Sequence, residues 1–150
     1  MKKQINTDKP EQTEQLAEKI GHALRGGEVV ELVSDLGGGK TTFTRGLARG
    51  IGSADRVASP TFVISKIYKG KSLELHHFDF YRLADAGLME YELHDVLGDS
   101  GIVVVVEWGD VLAHVLPDDR LTIHLKRTGD DSRELVLSCP ETLHYLVENL

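Results

Sequence analysis

Apolar residues near the N-terminus recur at helical spacing and are followed by a short β-branched segment. Intervals of three and four residues predict an amphipathic first helix at these positions: Leu16, Ala17, Ile20, Ala23 and Leu24. Gly26 and Gly27 come next and favour the left-handed turn that ends many helices. Residues 28–33 are rich in Val and predict a strand. Helical spacing resumes over residues 43–51, so a strand, a glycine-rich loop and a helix follow one another.

The rest of the chain alternates between strand and helix patterns. Its middle part predicts strands over 62–68, 73–79 and 101–108 and a polar helix over 84–97. Its C-terminal part predicts a hairpin of strands 121–126 and 134–139, and then a closing helix over 142–150. The unbroken aliphatic run 102–106 is typical of a strand covered on both faces. Helices interleaved with strands predict one α/β domain over residues 1–150, with a mixed sheet and a C-terminal hairpin.

Composition narrows the class of protein. The chain is 41% hydrophobic and 27% charged, which suits a domain with one core. Its longest aliphatic run has five residues, far short of the roughly 20 that a membrane span needs. Cys139 is the single cysteine, so no disulfide can form within the chain. The polar N-terminus lacks the apolar segment of a secretory signal. These features predict a cytoplasmic protein without membrane contact.

Charge is concentrated in one part of the chain. The formal net charge is −7, the wrong sign for a protein that coats nucleic acid, and direct binding to RNA or DNA is not expected. Residues 81–120 carry nine acidic residues against two basic ones. This stretch is either a solvated helical face or a docking surface for a basic partner.

The glycine-rich loop carries the clearest chemical signal. Gly39, Lys40 and Thr41 match the end of the phosphate-binding pattern G-x-x-x-x-G-K-[ST], and Ser34 stands at its first glycine. In that pattern backbone amides and the lysine bind phosphate oxygens, and the hydroxyl binds Mg²⁺. The residues predicted to hold the nucleotide are Asp35, Leu36, Gly37, Gly38, Gly39, Lys40, Thr41 and Thr42. An ordinary turn between a strand and a helix is the alternative. The whole pattern predicts a three-layer P-loop NTPase-like domain.

Two acids follow predicted strands. Glu107 comes directly after the aliphatic run 102–106, where P-loop enzymes keep a carboxylate for Mg²⁺, so Glu107 and Thr41 are the magnesium candidates. Asp79 shares a strand face with His77 and could position water or bind the metal. The alternative for Glu107 is a surface carboxylate at the end of a strand. The alternative for Asp79 is a side chain that caps a turn. A structural zinc site is not expected, because the single cysteine has no cysteine partner.

The sequence lacks the motif that recognises guanine, which bears on whether the nucleotide is ATP or GTP. Only two asparagines are present, and neither stands in the N-K-x-D motif that reads guanine, so ATP is favoured over GTP. The residues therefore favour an ATPase that uses Mg²⁺. A small-molecule kinase and a nucleotide-gated binding module without significant turnover remain as alternatives.

Four motifs together resemble one family. They are Ser-Asp-Leu-Gly-Gly-Gly-Lys-Thr-Thr-Phe-Thr-Arg-Gly at 34–46, Ser-Pro-Thr-Phe at 59–62, His-Phe-Asp-Phe-Tyr-Arg at 77–82 and Glu-Trp at 107–108. In this order and spacing they resemble the TsaE family, bacterial P-loop ATPases required for threonylcarbamoyladenosine (t6A) synthesis on tRNA. The family loop reads Gly-Asp-Leu-Gly-Ala-Gly-Lys-Thr, so the chain departs from it at Ser34 and Gly38.

The resemblance implies roles for the loop and for the acids. Lys40 and the loop amides would hold the phosphates of ATP, and Thr41 and Glu107 would hold Mg²⁺. Asp79 would be the hydrolytic or metal-linked acid. Lys40, Asp79 and Glu107 are therefore the predicted catalytic residues. Residues 59–61 would form a switch-like segment near the γ-phosphate.

The resemblance also implies contacts further from the loop. Trp108 would pack near the nucleotide, with core packing as its alternative, and Arg133 would reach the nucleotide from the hairpin. Tyr81 and Arg82 complete a motif without an assigned role. The implied partners are TsaB and TsaD, of which TsaD transfers the threonylcarbamoyl group to adenosine 37 of the tRNA. The chain would reach tRNA only through that complex and would hydrolyse ATP slowly without it.

Overall fold

A computed structural model of the chain describes residues 1–35, 37–58, 65–80, 87–108, 110 and 113–150. The strands in these residues are β1 (Lys2–Thr7), β2 (Val29–Val33), β3 (Ser65–Lys69), β4 (Glu74–Asp79), β5 (Ile102–Glu107), β6 (Leu121–Arg127) and β7 (Arg133–Ser138). The helices are α1 (Pro10–Ala23), α2 (Lys40–Gly50), α3 (Gly87–Val96) and a closing 3-10 helix (Glu141–Leu146). The glycine-rich loop connects β2 directly to α2.

The strands form one mixed sheet in the order β1-β7-β6-β2-β5-β4-β3. Strands β4, β5, β2 and β6 are parallel neighbours, whereas β3, β7 and β1 pair antiparallel at the two sides. Leu32 is in register with Glu107, and Glu107 with Asp79. The loop after β2 and the two acids therefore lie at the same edge of the sheet, where ligands of parallel α/β sheets bind.

Two apolar cores cover the two faces of the sheet. The alternating valines of β5 divide between them, since Val103 and Val105 pack with α1, α2 and the closing helix, while Val104 and Val106 pack with α3. This division explains the unbroken aliphatic run, because the four valines are buried on one face or the other and Ile102 is partly buried. The three-layer α/β fold with a mixed sheet and a C-terminal hairpin is confirmed.

Several boundaries differ from the predictions. Strand β1 was not predicted, because it is polar and lies at the side of the sheet, where Ile5 packs inward and its neighbours face solvent. The closing helix predicted over 142–150 is a 3-10 helix that spans Glu141–Leu146. The first helix begins at Pro10, six residues before the first apolar position. Parts of the predicted strand 62–68 and helix 84–97 lie outside the described residues.

None of the helices in the described part of the chain has the length and apolar character needed to cross a membrane.

Candidate functional site

The glycine-rich loop turns sharply into α2. Gly37 and Gly39 have φ angles of 77° and 104°, in the left-handed region that favours glycine. Gly39 is the residue before the first turn of α2, and that turn contains no acidic residue and has no side-chain cap. No capping or acidic side chain of α2 therefore binds the backbone N–H groups of its first turn. A helix N-terminus of this kind favours the binding of an anion. Of the predicted nucleotide-binding residues, Leu36 lies outside the described part.

Lys40 lies across this loop. Its Nζ donates to the backbone carbonyls of Ser34 and Asp35, each at 3.2 Å, and the residue is buried. The same nitrogen lies 5.0 Å from the centre of the Trp108 ring. Burying an ammonium group is costly unless oxygen atoms replace its water, and two carbonyls do so here. The amine is thus held at the inner side of the loop, where phosphate oxygens would meet it.

Ser34 and Gly38 occupy one shared space. A Cβ atom built on Gly38 would lie 1.5 Å from Ser34 Oγ and 2.8 Å from Ser34 Cβ. The Ser34 hydroxyl donates to the carbonyl of Asp35 at 2.9 Å. Ser34 does not adopt a positive φ, so a residue with a side chain is tolerated at this position of the loop. The two departures from the family loop pattern are therefore coupled, since glycine at 38 leaves room for serine at 34.

Arg133 holds the loop from the hairpin side. It is the first residue of β7, and its Nε donates to the carbonyl of Gly38 at 3.1 Å while Nη2 donates to that of Gly37 at 3.3 Å. In a trans peptide the carbonyl and the following amide point in opposite directions. With the Gly38 carbonyl turned to Arg133, the amide of Gly39 points to the other side. Arg133 thus contacts the predicted binding loop.

Glu107 ends β5 as a buried carboxylate, with 3% of the residue exposed. Its Oε2 lies 2.7 Å from Nε2 of His77, which is fully buried. Glu107 and Asp79 are partners in register, so both start from the sheet face that α2 covers. His77 is not among the predicted site residues, although its shared face with Asp79 was recognised. Its contact with Glu107 depends on strand pairing that the sequence does not reveal.

Tyr68 lies in the electrostatic field of Glu107. Burial is the largest cause that raises the pKa of its hydroxyl, and the negative charges of Glu107 and Asp55 add to that rise. The hydroxyl donates to the carbonyl of Ala58 at 3.1 Å. The predicted switch-like segment 59–61, which follows residue 58, lies outside the described residues, as do Tyr81 and Arg82.

Oxygen ligands for Mg²⁺ are available in Thr41 and Glu107. Mg²⁺ prefers carboxylate and hydroxyl oxygens and usually keeps several waters beside substrate phosphates. Among the described residues there is no cluster of three histidine, cysteine or acidic side chains that could hold a metal. One carboxylate and one hydroxyl fit Mg²⁺ bound together with a nucleotide, rather than a metal held by protein ligands alone.

Trp108 lies between the glycine-rich loop and the apolar core that packs with α3. It has a φ of 60°, and within the described chain it is the one residue other than glycine with a positive φ. Such a conformation costs about 1–2 kcal/mol and persists where surrounding contacts hold it. The ring packs against the α3 core and also faces Lys40. Both roles that the sequence left open for Trp108 are thus compatible with its position.

A cleft of about 630 Å³ opens beside the loop. Ser34, Asp35 and Gly38 form one side, Trp108 another, and residues 124–127 of β6 lie along it. Its volume is within the range of about 300–1,000 Å³ that is typical of small-molecule sites. A ligand whose phosphates sit on the loop would have room here for its remaining part.

Comparisons with known proteins agree on one family. The family model described as "Threonylcarbamoyl adenosine biosynthesis protein TsaE" matches residues 7–135. The chain is 41% identical over 132 residues to the tRNA threonylcarbamoyladenosine biosynthesis protein TsaE of Bacillus subtilis, covering 88% of this chain and 82% of the relative. It is 42% identical over 127 residues to the protein of that name from Streptomyces coelicolor, covering 81% and 84%. A crystal structure of YdiB from Bacillus subtilis superposes with a TM-score of 0.80 at 36% identity, covering 99% of this chain and 93% of that one.

Proposed function

The chain belongs to the TsaE family of threonylcarbamoyl adenosine biosynthesis proteins, and from this premise we propose that it binds and hydrolyses Mg·ATP in that pathway. The observation that carries the proposal is Lys40, whose amine lies buried at the inner side of a glycine loop at the start of α2. A positive charge at a helix start is a binding site for phosphate.

The loop and Lys40 would bind the phosphates. Incoming phosphate oxygens would replace the carbonyls of Ser34 and Asp35 as partners of the amine. The first amides of α2 and the amide of Gly39 would donate to the same phosphates. Because these donors are already held by the fold, little reorganisation is needed when negative charge shifts during phosphoryl transfer. Arg133 supports this by binding the outward carbonyls of the loop.

Three side chains near this edge of the sheet would bind Mg²⁺ and orient the water that attacks the γ-phosphate. Thr41 and Glu107 would hold Mg²⁺, which neutralises the charge that develops on the phosphates when it is bound. Asp79, in register with Glu107, would orient the attacking water. Phosphoryl transfer of this kind depends mostly on positioning and charge.

The nucleoside would lie in the cleft beside the loop. Its volume suits an adenosine, and Trp108 offers an aromatic ring at the cleft wall. The absence of an N-K-x-D motif from the sequence favours adenine over guanine.

TsaB and TsaD would be the partners in this pathway. The net charge of −7 favours a division of labour in which the partners, and not this chain, contact tRNA phosphates. ATP hydrolysis would drive that complex through its cycle, and the chain alone would turn over slowly.

Phosphate release from ATP and from GTP, with Mg²⁺ and with or without TsaB and TsaD, tests the proposal. We expect release from ATP that the partners stimulate, and a loss of at least about 100-fold in Lys40→Ala, because a positioned charge donor is removed. Thr41→Ala should no longer release phosphate from Mg·ATP. Circular dichroism should show that both variants keep the fold. Lys19→Ala, an exposed lysine on α1, is the matched control.

Two outcomes would contradict this function. Wild-type turnover in Lys40→Ala would show that the loop is not the phosphate site. No phosphate release under any condition, together with ATP-dependent association with TsaB and TsaD, would make the chain a nucleotide-gated binding module.

A further inference from the structure

A buried histidine and a buried glutamate form a pair at the edge of the sheet. His77 is fully buried in β4, and its Nε2 lies 2.7 Å from Oε2 of Glu107 at the end of β5. The register partner of His77 is Val105, so the ring reaches diagonally to the residue two positions further along β5. The contact therefore directs the histidine towards the end of the strand, where the phosphate-binding loop lies.

The chemistry of the two groups assigns the donor and the acceptor. A carboxylate accepts hydrogen bonds, so Nε2 of His77 is the donor to Glu107. A 2.7 Å contact is at the short end for such a bond and is typical of a charged acceptor. One oxygen of Glu107 is thereby fixed.

Among the described residues, the His77 ring has one polar contact. Within the described part of the chain, Nδ1 of His77 is buried and has no hydrogen-bond partner. Leaving a buried polar atom without a partner costs about 1–3 kcal/mol. The polar contact that the described residues give this ring is the one with Glu107.

We propose that His77 is a positioning residue that holds the Glu107 carboxylate in the orientation needed to bind the Mg²⁺ of Mg·ATP. This inference rests on the proposed function, in which Glu107 is a magnesium ligand. A free glutamate side chain samples many rotamers, and fixing one oxygen removes that freedom before the metal arrives. Outer partners that orient a metal ligand typically change metal affinity by about 10–100-fold when removed.

Two substitutions separate the hydrogen bond from the packing of the ring. His77→Leu fills a similar volume without a donor, whereas His77→Gln keeps an N–H group at the end of the side chain. His77→Met is a second apolar variant in case the leucine variant does not fold. Thermal unfolding followed by circular dichroism identifies the variants that are folded.

The primary readout is the coupling between Mg²⁺ and nucleotide binding. ADP affinity is measured by calorimetry in EDTA and across a Mg²⁺ titration, and the Mg²⁺ dependence of ATP hydrolysis is measured in parallel. For His77→Leu we expect ADP affinity in EDTA within about 2-fold of wild type and a Mg²⁺ half-saturation raised about 10–100-fold. His77→Gln should recover most of that loss. Adding His77→Leu to Glu107→Gln should raise the Mg²⁺ requirement no further, because the group it positions is already lost.

The outcomes distinguish this inference from the proposed function. Normal Mg²⁺ half-saturation in the folded apolar variants would overturn the role of His77 while leaving the ATPase proposal intact. Equal losses in His77→Leu and His77→Gln would overturn it as well, since the hydrogen bond would not be the cause. If the wild-type chain shows no Mg²⁺-dependent nucleotide binding, the proposed function itself fails.

Discussion

At the scale of single residues, the conformation of the glycine-rich loop depends on which side-chain atoms occupy its small interior. Ser34 stands where the general pattern has glycine, and its side chain occupies the volume that a Cβ on Gly38 would need. Serine at 34 is thus acceptable because residue 38 is glycine. Pairs of this kind show strong non-additivity, because the second change removes the clash that the first creates.

Gly38→Ala should destabilise the chain by about 1–3 kcal/mol through overpacking against Ser34, and should weaken ADP binding by displacing the loop. Ser34→Gly in the same chain should restore both properties, because it removes the atoms that clash. Chemical unfolding and calorimetric titration of ADP measure the two effects. A double variant as impaired as Gly38→Ala alone would show that the contact with Ser34 is not the cause.

At the scale of elements, the position of α2 depends on close contact with α1. Cβ atoms built on Gly46 and Gly50 would lie 2.3 Å and 2.5 Å from the carbonyl oxygens of Glu14 and Glu18, and one on Gly21 would lie 2.6 Å from that of Leu47. These neighbours are backbone atoms that cannot rotate away. Glycines therefore let the two helices approach, and α2 carries Lys40 and Thr41 at its start.

Gly46→Ala is expected to destabilise the fold by at least about 1 kcal/mol. Alanine gains about 1 kcal/mol in helix propensity, but the clash with the α1 backbone and with Ala17 costs more than that. Urea unfolding of the purified chain measures the difference. Gly101→Ala is the matched control, because its added Cβ would meet Asp99 Oδ1 only at 3.4 Å. A Gly46→Ala variant with a higher free energy of unfolding than wild type would show that α1 and α2 can move apart without loss of stability.

At the scale of the whole molecule, charge is displayed unevenly. Helix α3 exposes Glu92 and Asp95 beside Tyr91, whose exposed fraction is 74%. Glu90 is half-buried and accepts from His114 at 3.2 Å. Aromatic residues such as tyrosine are enriched at contact surfaces, and the acids around Tyr91 would attract a basic partner. This helix belongs to the acidic stretch 81–120, of which residues 81–86, 109 and 111–112 lie outside the described part.

Reversal of Glu90, Glu92 and Asp95 to lysine should weaken co-purification with TsaB and TsaD, because complementary charge guides association. The comparison is a chain with Asp8, Glu11 and Glu148 reversed, which carries the same change in net charge at exposed positions elsewhere. Pull-down at two salt concentrations measures the effect, and higher salt should reduce the difference. Equal binding by both triple variants and wild type would remove α3 as the partner surface.

Most of the fold was predictable because its signals are local. The strand, loop and helix around Lys40 and the buried valines of β5 follow from spacing and composition within short segments. Strand β1 was missed because a polar strand at the side of a sheet has no such local signal and forms by pairing with β7, far away in sequence. The closing helix was predicted over 142–150 but ends at Leu146 as a 3-10 helix, since the spacing of apolar residues does not define where a helix ends or its type.

The sequence by itself determined the fold class, the family, and the residue types that a phosphate and Mg²⁺ would need at 39–41 and 107. Tertiary structure decided which of these residues meet. Arg133 reaches the loop carbonyls because β7 returns beside β6, and His77 reaches Glu107 because β4 pairs with β5. These contacts join residues 95 and 30 positions apart. Their formation depends on strand order and register, and the energy that selects those is spread over the whole sheet and both cores.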